Sequence, residues 1–286
     1  MVKFGTAGLD ANFTLQGFKK TIEAPIYLEK MGLDAFEYQC GRGVRVSEKA
    51  AAEFGAACKA KNIALSLHAP YYISMSSVEE EKRLNSVKYI LDSAYAIKAM
   101  GGSRVIFHSG SCAKLSREEA LAKAVDTMGL IMKSLDENGL GDITVCPETM
   151  GKVNQLGTLD EVLALCKVDE RIIPCIDFGH LNARDMGSIK SIDDYRNIIE
   201  KMENEIGADR TKVFHSHFSK IEYTTGGEKR HLTFEDTLYG PDFEPLMEII
   251  ARKNLSPTII CESDGTQGID AAQMKAYWRS IEKQQF

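Results

Sequence analysis

The stretch Asp142-Ile143-Thr144-Val145-Cys146-Pro147-Glu148-Thr149-Met150 is an apolar, β-branched run that ends on a carboxylate and opens into a glycine-containing loop. It reads as a buried strand, so the Glu148 carboxylate is expected to emerge where the strand meets its loop. The same pattern recurs in Leu67-His68-Ala69-Pro70, Phe107-His108-Ser109-Gly110, Ile176-Asp177-Phe178-Gly179-His180, Phe214-His215-Ser216-His217 and Cys261-Glu262-Ser263-Asp264. Each places a metal-ligand residue type at the end of an apolar run, and Glu148 is expected to be the central ligand.

Working outward, eight apolar runs recur, at about residues 2–8, 35–40, 63–70, 104–110, 143–149, 172–178, 212–218 and 258–263. Each precedes a segment of helical period. Strands alternating with amphipathic helices imply a parallel sheet with right-handed crossovers, and eight such units predict closure into a (β/α)8 TIM barrel. Helix starts are marked at Ser47, at Ser77, at Ser116-Arg117-Glu118-Glu119, at Thr158-Leu159-Asp160-Glu161, at Ser191-Ile192-Asp193-Asp194 and at Pro241-Asp242-Phe243-Glu244. The stretch Gly226-Gly227-Glu228-Lys229-Arg230-His231 falls in an irregular segment of roughly residues 219–240, and a loop of that length is expected to be functional. No linker interrupts the pattern, so residues 1–286 are expected to form a single domain.

A chain of 286 residues with 44% hydrophobic content can bury a sizeable core. Its net charge of −6 gives no global basic signature for nucleic acid, so a local basic patch or bound cations would have to attract a polyanion. Seven cysteines without a CxxC pair point to a reducing compartment rather than a disulfide framework. Cys146 and Cys175 precede Glu148 and Asp177 by two positions, which places them in the layer beneath the site. No window approaches the ~18 consecutive apolar residues of a membrane span. No signal-peptide core follows Met1, and a soluble, cytoplasmic, monomeric protein is expected.

All six histidines, His68, His108, His180, His215, His217 and His231, are expected at C-terminal strand ends or in the loops that follow, the face on which such barrels build active sites. Together with Glu148, Asp177 and Glu262 they would form a costly cluster of buried polar groups unless cations compensated them. Imidazole with carboxylate suits zinc, with manganese or iron as alternatives. The donors outnumber the needs of one ion, so two or three ions are expected, with Glu148 as the bridge.

The series His68-Ala69-Pro70-Tyr71, His108-Ser109-Gly110-Ser111, Pro147-Glu148-Thr149, Asp177-Phe178-Gly179-His180, His215, Arg230-His231 and Glu262 resembles the endonuclease IV family of apurinic/apyrimidinic endonucleases. That family is a (β/α)8 barrel with three zinc ions in which metal-activated water cleaves DNA on the 5′ side of abasic sites. The resemblance implies that His68 and His108 hold a first ion, that Glu148 bridges to a second completed by Asp177, His215 and Glu262, and that His180 and His231 hold a third. Glu148 and Glu262 are then the expected catalytic carboxylates, Glu262 orienting the water, and DNA containing abasic sites is the expected partner.

Departures from that pattern are specific. Where the family has Asp-Arg-His this chain has Lys229-Arg230-His231, so Glu228 or His217 must substitute in the third shell, with Glu228 preferred because its loop can bring it to the ion. Ser216-His217-Phe218-Ser219 replaces the family's Asn-Asp, and Gly5-Thr6-Ala7-Gly8 replaces its Gly-x-His-x-Ser. Arg42, in Gly41-Arg42-Gly43-Val44-Arg45, is expected either to enter a DNA groove or to bind any anionic substrate. Tyr71 and Tyr72 stack on a base or pack the barrel rim; Lys220, Lys229 and Arg230 bind phosphate or form a solvated face. Two further functions are compatible with these residues. One is a sugar isomerase or epimerase of the xylose isomerase-like barrels, which uses only a Glu148, Asp177, His215 and Glu262 set around one divalent ion; the other is a non-catalytic barrel that binds a ligand.

Overall fold

The computed structural model describes residues 1–282. Eight parallel strands form one sheet: β1 (Lys3–Ala7), β2 (Ala35–Gln39), β3 (Ala64–His68), β4 (Arg104–Phe107), β5 (Thr144–Pro147), β6 (Cys175–Asp177), β7 (His215–Phe218) and, after a hairpin, β10 (Thr258–Cys261). Their order is β5-β4-β3-β2-β1-β10-β7-β6. The outer members β5 and β6 meet through the parallel bridge between Glu148 and Cys175, which closes the barrel as expected. Glu148 therefore sits at the seam. Thr149 laces that seam: its amide donates to Cys175 O at 3.0 Å, its hydroxyl donates to Asp177 O at 3.2 Å, and the Asp177 amide donates back to the hydroxyl at 2.9 Å.

Helices flank the sheet and are started by the residues the sequence marks. The hydroxyls of Ser116 and Thr158 accept from the amides of Glu119 and Glu161, whose carboxylates accept in return from the cap amides. Ser47 caps the helix Glu48–Ala60. Ser77 differs from its expected role: the helix is Glu80–Ala99 with Glu79 at its cap, and the Ser77 hydroxyl instead accepts from the Glu79 amide in the preceding turn.

The stretch of roughly residues 219–240 is not structureless. It contains an antiparallel hairpin, β8 (Lys220–Thr224) and β9 (Gly227–Leu232), with a register shift at Glu222/Tyr223. Few of its positions are large and apolar, so periodicity gave no strand signal. Its tip docks on the loop after β5 through a bridge between Lys152 and Gly227.

The main core lies between barrel and helices. The barrel interior is mostly polar: Glu37, Ser66, His215 and His217 are fully or almost fully buried there, above and around a small apolar group of Ile106, Cys146 and Cys175. Cys146 and Cys175 thus occupy the expected layer beneath the site, and all seven cysteines are buried and free. Among the described residues, no helix is long and apolar enough to cross a membrane.

Candidate metal centre

Strand register decides which side chains share a level. Asp177 of β6 is level with His217 of β7, whereas Cys175 is level with His215. Side chains two apart share a face, so both histidines point into the barrel, but one layer apart. His215 opens β7 at its N-terminal end, contrary to the expectation that all six histidines lie at C-terminal strand ends or in the loops that follow. His180 also departs from it, standing in the first turn of the helix Phe178–Arg184.

Three groups of donors converge at the mouth, each close enough to share an ion. His68, His108 and Glu148 form the first; Glu148, Asp177, His217 and Glu262 the second; His180, Glu228 and His231 the third. Glu148 belongs to two of them. One oxygen lies 3.2 Å from the Nε2 atoms of His68 and His108, and the other lies 3.1 Å from His217 Nδ1 and 3.2 Å from His180 Nδ1. The structure brings Glu228 to the third group, with Oε2 3.4 Å from His180 Nε2.

His215 does not join the second group. Its Nε2 donates to Glu37 Oε2 at 2.9 Å, and its Nδ1 faces the Arg104 guanidinium at 3.5 Å. The sequence pattern misses this because His215 and His217 are indistinguishable by strand face. It also misses Glu37, which is fully buried beneath the centre, although an acid inside Ala35-Phe36-Glu37-Tyr38 is a signal in itself.

The histidine rings are pre-set by their outward nitrogens. His68 Nδ1 lies 2.9 Å from Ala69 O, His180 Nδ1 2.9 Å from Thr149 O and His231 Nδ1 2.8 Å from Ser219 Oγ, leaving each Nε2 turned toward its group. Anchoring the second nitrogen in this way is how metal-ligating imidazoles are oriented. His217 is reversed, with Nδ1 toward Glu148 and Glu262 and Nε2 toward Glu37.

The electrostatics of the groups are set by burial and by their mutual charges. Burial opposes ionisation of Glu148, but His217 and His108 outweigh it and hold the carboxyl well below its ordinary range. Asp177 is pushed up by burial and by the Glu262 and Glu148 charges, only partly offset by His180. Burial favours neutral His68, yet hydrogen bonding and charge from Glu148, with Glu37 behind it, raise it to about 9. Burial lowers His215 to about 4 despite Glu37, so it is a neutral imidazole. Asp177 Oδ2 is fully buried and has no hydrogen-bond partner. An orphaned carboxylate oxygen beside two further carboxylates and an imidazole is costly unless a cation lies among them, and the imidazole and carboxylate donors fit a divalent ion.

A cavity of about 430 Å3 opens above these groups, lined among others by Gln39, Tyr71, His108, Lys152, Glu228 and Glu262. Tyr71 is on its wall; Tyr72 packs edge-on against Tyr71 and is itself exposed. Arg42 is exposed on the neighbouring loop. Lys229 and Arg230 both pair with Glu222 on the outer side of the hairpin. Lys220 is buried against Asp236 O and Asp242, outside the lining. Lys152, which lines the cavity beside Gln39, did not stand out in the sequence.

Several known proteins share this plan. An uncharacterized protein of Methanocaldococcus jannaschii is 34% identical over 280 residues, 97% of each chain. A probable endonuclease 4 of Staphylococcus carnosus is 28% identical over 162 residues, 54% of this chain and 52% of that one, so the chain spans about half the length of that relative. Among solved structures, a D-tagatose 3-epimerase-like protein superposes with a TM-score of 0.74 at 18% identity over 99% of both chains. Endonuclease IV from Thermus thermophilus superposes at 0.62 and 17% identity, over 92% of this chain and 94% of that one. At such identities the superpositions establish the fold. A family model described as xylose isomerase-like TIM barrel matches residues 26–281, and with the eight-stranded barrel this places the chain in the xylose isomerase-like TIM barrel family.

Proposed function

We propose that the protein is a metal-dependent phosphodiesterase that hydrolyses DNA at abasic sites, with zinc as the expected ion. The observation that carries this reading is the sharing of Glu148 between two donor groups, with a third group completed by Glu228. A centre of this kind suits a substrate that carries negative charge and expels an oxyanion. His68, His108 and Glu148 would hold one ion, Glu148, Asp177, His217 and Glu262 a second, and His180, Glu228 and His231 a third. Divalent ions bound there would supply Lewis acidity and a nucleophile from water at neutral pH.

The protein's own groups have separate tasks. Glu262 is partly exposed to the cavity, which supports a role in which its carboxylate would orient water and accept its proton. Tyr71 offers an aromatic face at the wall for a base or a deoxyribose. Lys152 brings a cation to the same cavity, where it would contact phosphate. Arg42 lies outside the cavity and would meet the flanking strand. The pairing of Arg230 with Glu222 and the burial of Lys220 make both poorer phosphate contacts than the sequence suggests.

A sugar epimerase is the second reading, supported by one feature: Glu148, Asp177, His217 and Glu262 by themselves form a complete four-donor set. One ion there, flanked by two carboxylates, would serve proton transfer beside a carbonyl. That reaction leaves His68, His108, His180 and His231 without a task. The test is metal analysis of the purified protein beside cleavage of an abasic-site duplex, with Glu148→Gln as control. Nicking abolished by chelator and by the substitution supports the nuclease. One ion per chain, no nicking and turnover of a ketose would overturn it for the epimerase.

A further inference from the structure

Beneath the centre lies a carboxylate that no ligand group includes. Glu37 is in the middle of β2, between Phe36 and Tyr38, whose rings both pack on Phe54 at 5.6 Å outside the sheet. Strand alternation therefore turns Glu37 onto the barrel axis, where it is completely buried. An acid in that position is costly unless its oxygens are occupied. Ser66 donates its hydroxyl to Oε2 at 3.0 Å, the His215 ring lies at 2.9 Å from the same oxygen, and Gln39 donates to Oε1 at 3.3 Å. The remaining neighbour is His217, whose Nε2 is 2.9 Å from Oε1. That contact lies off the hydrogen-bonding direction, and His217 Nε2 is a buried nitrogen with no hydrogen bond.

The arrangement separates His217 from the other candidate ligands. His68, His180 and His231 rest on a carbonyl or a hydroxyl, all neutral acceptors. His180 Nδ1 also lies 3.2 Å from a Glu148 oxygen inside the centre, whereas His217 turns its outward nitrogen toward a carboxylate below the centre, Glu37. We propose that Glu37 is a positioning residue: with an ion in the centre it would keep the His217 proton on Nε2 and leave Nδ1, which hydrogen-bonds Glu148 Oε1 at 3.1 Å in this structure, to face that ion among Asp177, Glu148 and Glu262. His215 backs it from below as a neutral imidazole, donating to Glu37 and facing the Arg104 guanidinium. Arg104 is itself fixed by donating to Val213 O at 2.8 Å. The result is a column, Arg104, His215, Glu37 and His217, along the axis from the lower barrel to the metal centre. A carboxylate behind an imidazole fixes its tautomer and strengthens its lone pair, and losing such a partner costs about 10–100-fold in metal affinity. This role rests on the reading that the centre holds divalent ions and is independent of the substrate.

The test is competition for zinc between a chromogenic chelator and the protein, wild type beside Glu37→Gln, with ion stoichiometry and a thermal melt on each. The variant is expected to lose about tenfold or more in affinity at one site, with the other sites unchanged. Affinity and stoichiometry equal to wild type would overturn the proposal and leave the metal centre standing. A wild-type protein that binds no zinc would overturn both. Long-range nitrogen–proton correlation spectra of the zinc-loaded wild-type protein decide the point even if the variant fails to fold. The expected pattern is His217 protonated at Nε2 and His68 and His180 at Nδ1; His217 protonated at Nδ1 would refute the role of Glu37.

Discussion

Stripped of divalent ions by a chelator, the folded protein should become less stable as pH rises from about 6.5 to about 8.5. His68 is the group from which the size of this effect is worked. Its folded-state value is raised to about 9 from an ordinary 6.5 by the Glu148 carboxylate 3.2 Å away. A base raised on folding contributes stability that is fully present below its unfolded value and is lost as pH climbs through its folded value. Over that window His68 alone accounts for a loss of about 2 kcal/mol. His180, raised by Asp177 and Glu148, and His217, raised by Cys175 and then by Glu262, Glu37 and Glu148, act with the same sign. Other groups change the total without reversing it: His215, lowered to about 4, opposes the fall by less than about 0.5 kcal/mol, while the buried thiols, all raised, add to the fall toward the upper end of the window, which is why the comparison with a His68 variant is needed. The assay is urea unfolding of the chelated protein at the two pH values, wild type beside His68→Gln. The variant should show a smaller fall by about 2 kcal/mol. Stability that is flat or rising across the window in the chelated wild type would refute the caged arrangement of imidazoles about Glu148.

Three further outcomes follow from particular contacts. Thr149→Val removes the hydroxyl that laces β5 to β6 and leaves the buried Asp177 amide unpaired, so it should cost about 1–3 kcal/mol, read as a lower unfolding midpoint. Gly227 has φ +88°, and a Cβ there would lie 2.1 Å from Gly151 O, so Gly227→Ala should push the hairpin tip away and carry Glu228 from His180; zinc content should fall by one ion per chain while the barrel still melts cooperatively. Glu228→Gln should likewise remove one ion while the barrel still melts cooperatively; unchanged zinc content would show that His180 and His231 do not form a third site.

How much of the centre could be read from the chain depends on the kind of signal each residue leaves. Eight apolar runs alternating with helical periods are a local property, and local propensity with burial suffices to specify a (β/α)8 barrel. His68, His108, Glu148, Asp177 and Glu262 were legible for the same reason: each ends a strand, and strand ends on one face of a barrel must converge. Glu228 was reached through a gap in a resemblance, because Lys229 cannot serve as a ligand while protonated.

Depth along the barrel axis was beyond the sequence. A period of two tells which face a side chain takes but not the layer in which it lies, and only the register between β6 and β7 sets His217 beside Asp177 and His215 beside Cys175. Glu37 acquires its meaning in the same way, from Ser66 on the next strand and from two histidines nearly two hundred positions away. The sequence thus determined the barrel and the face on which its chemistry gathers, because hydrophobic periodicity is written residue by residue. The tertiary structure decided which imidazole faces which carboxylate, because that depends on how eight strands are staggered as the sheet closes.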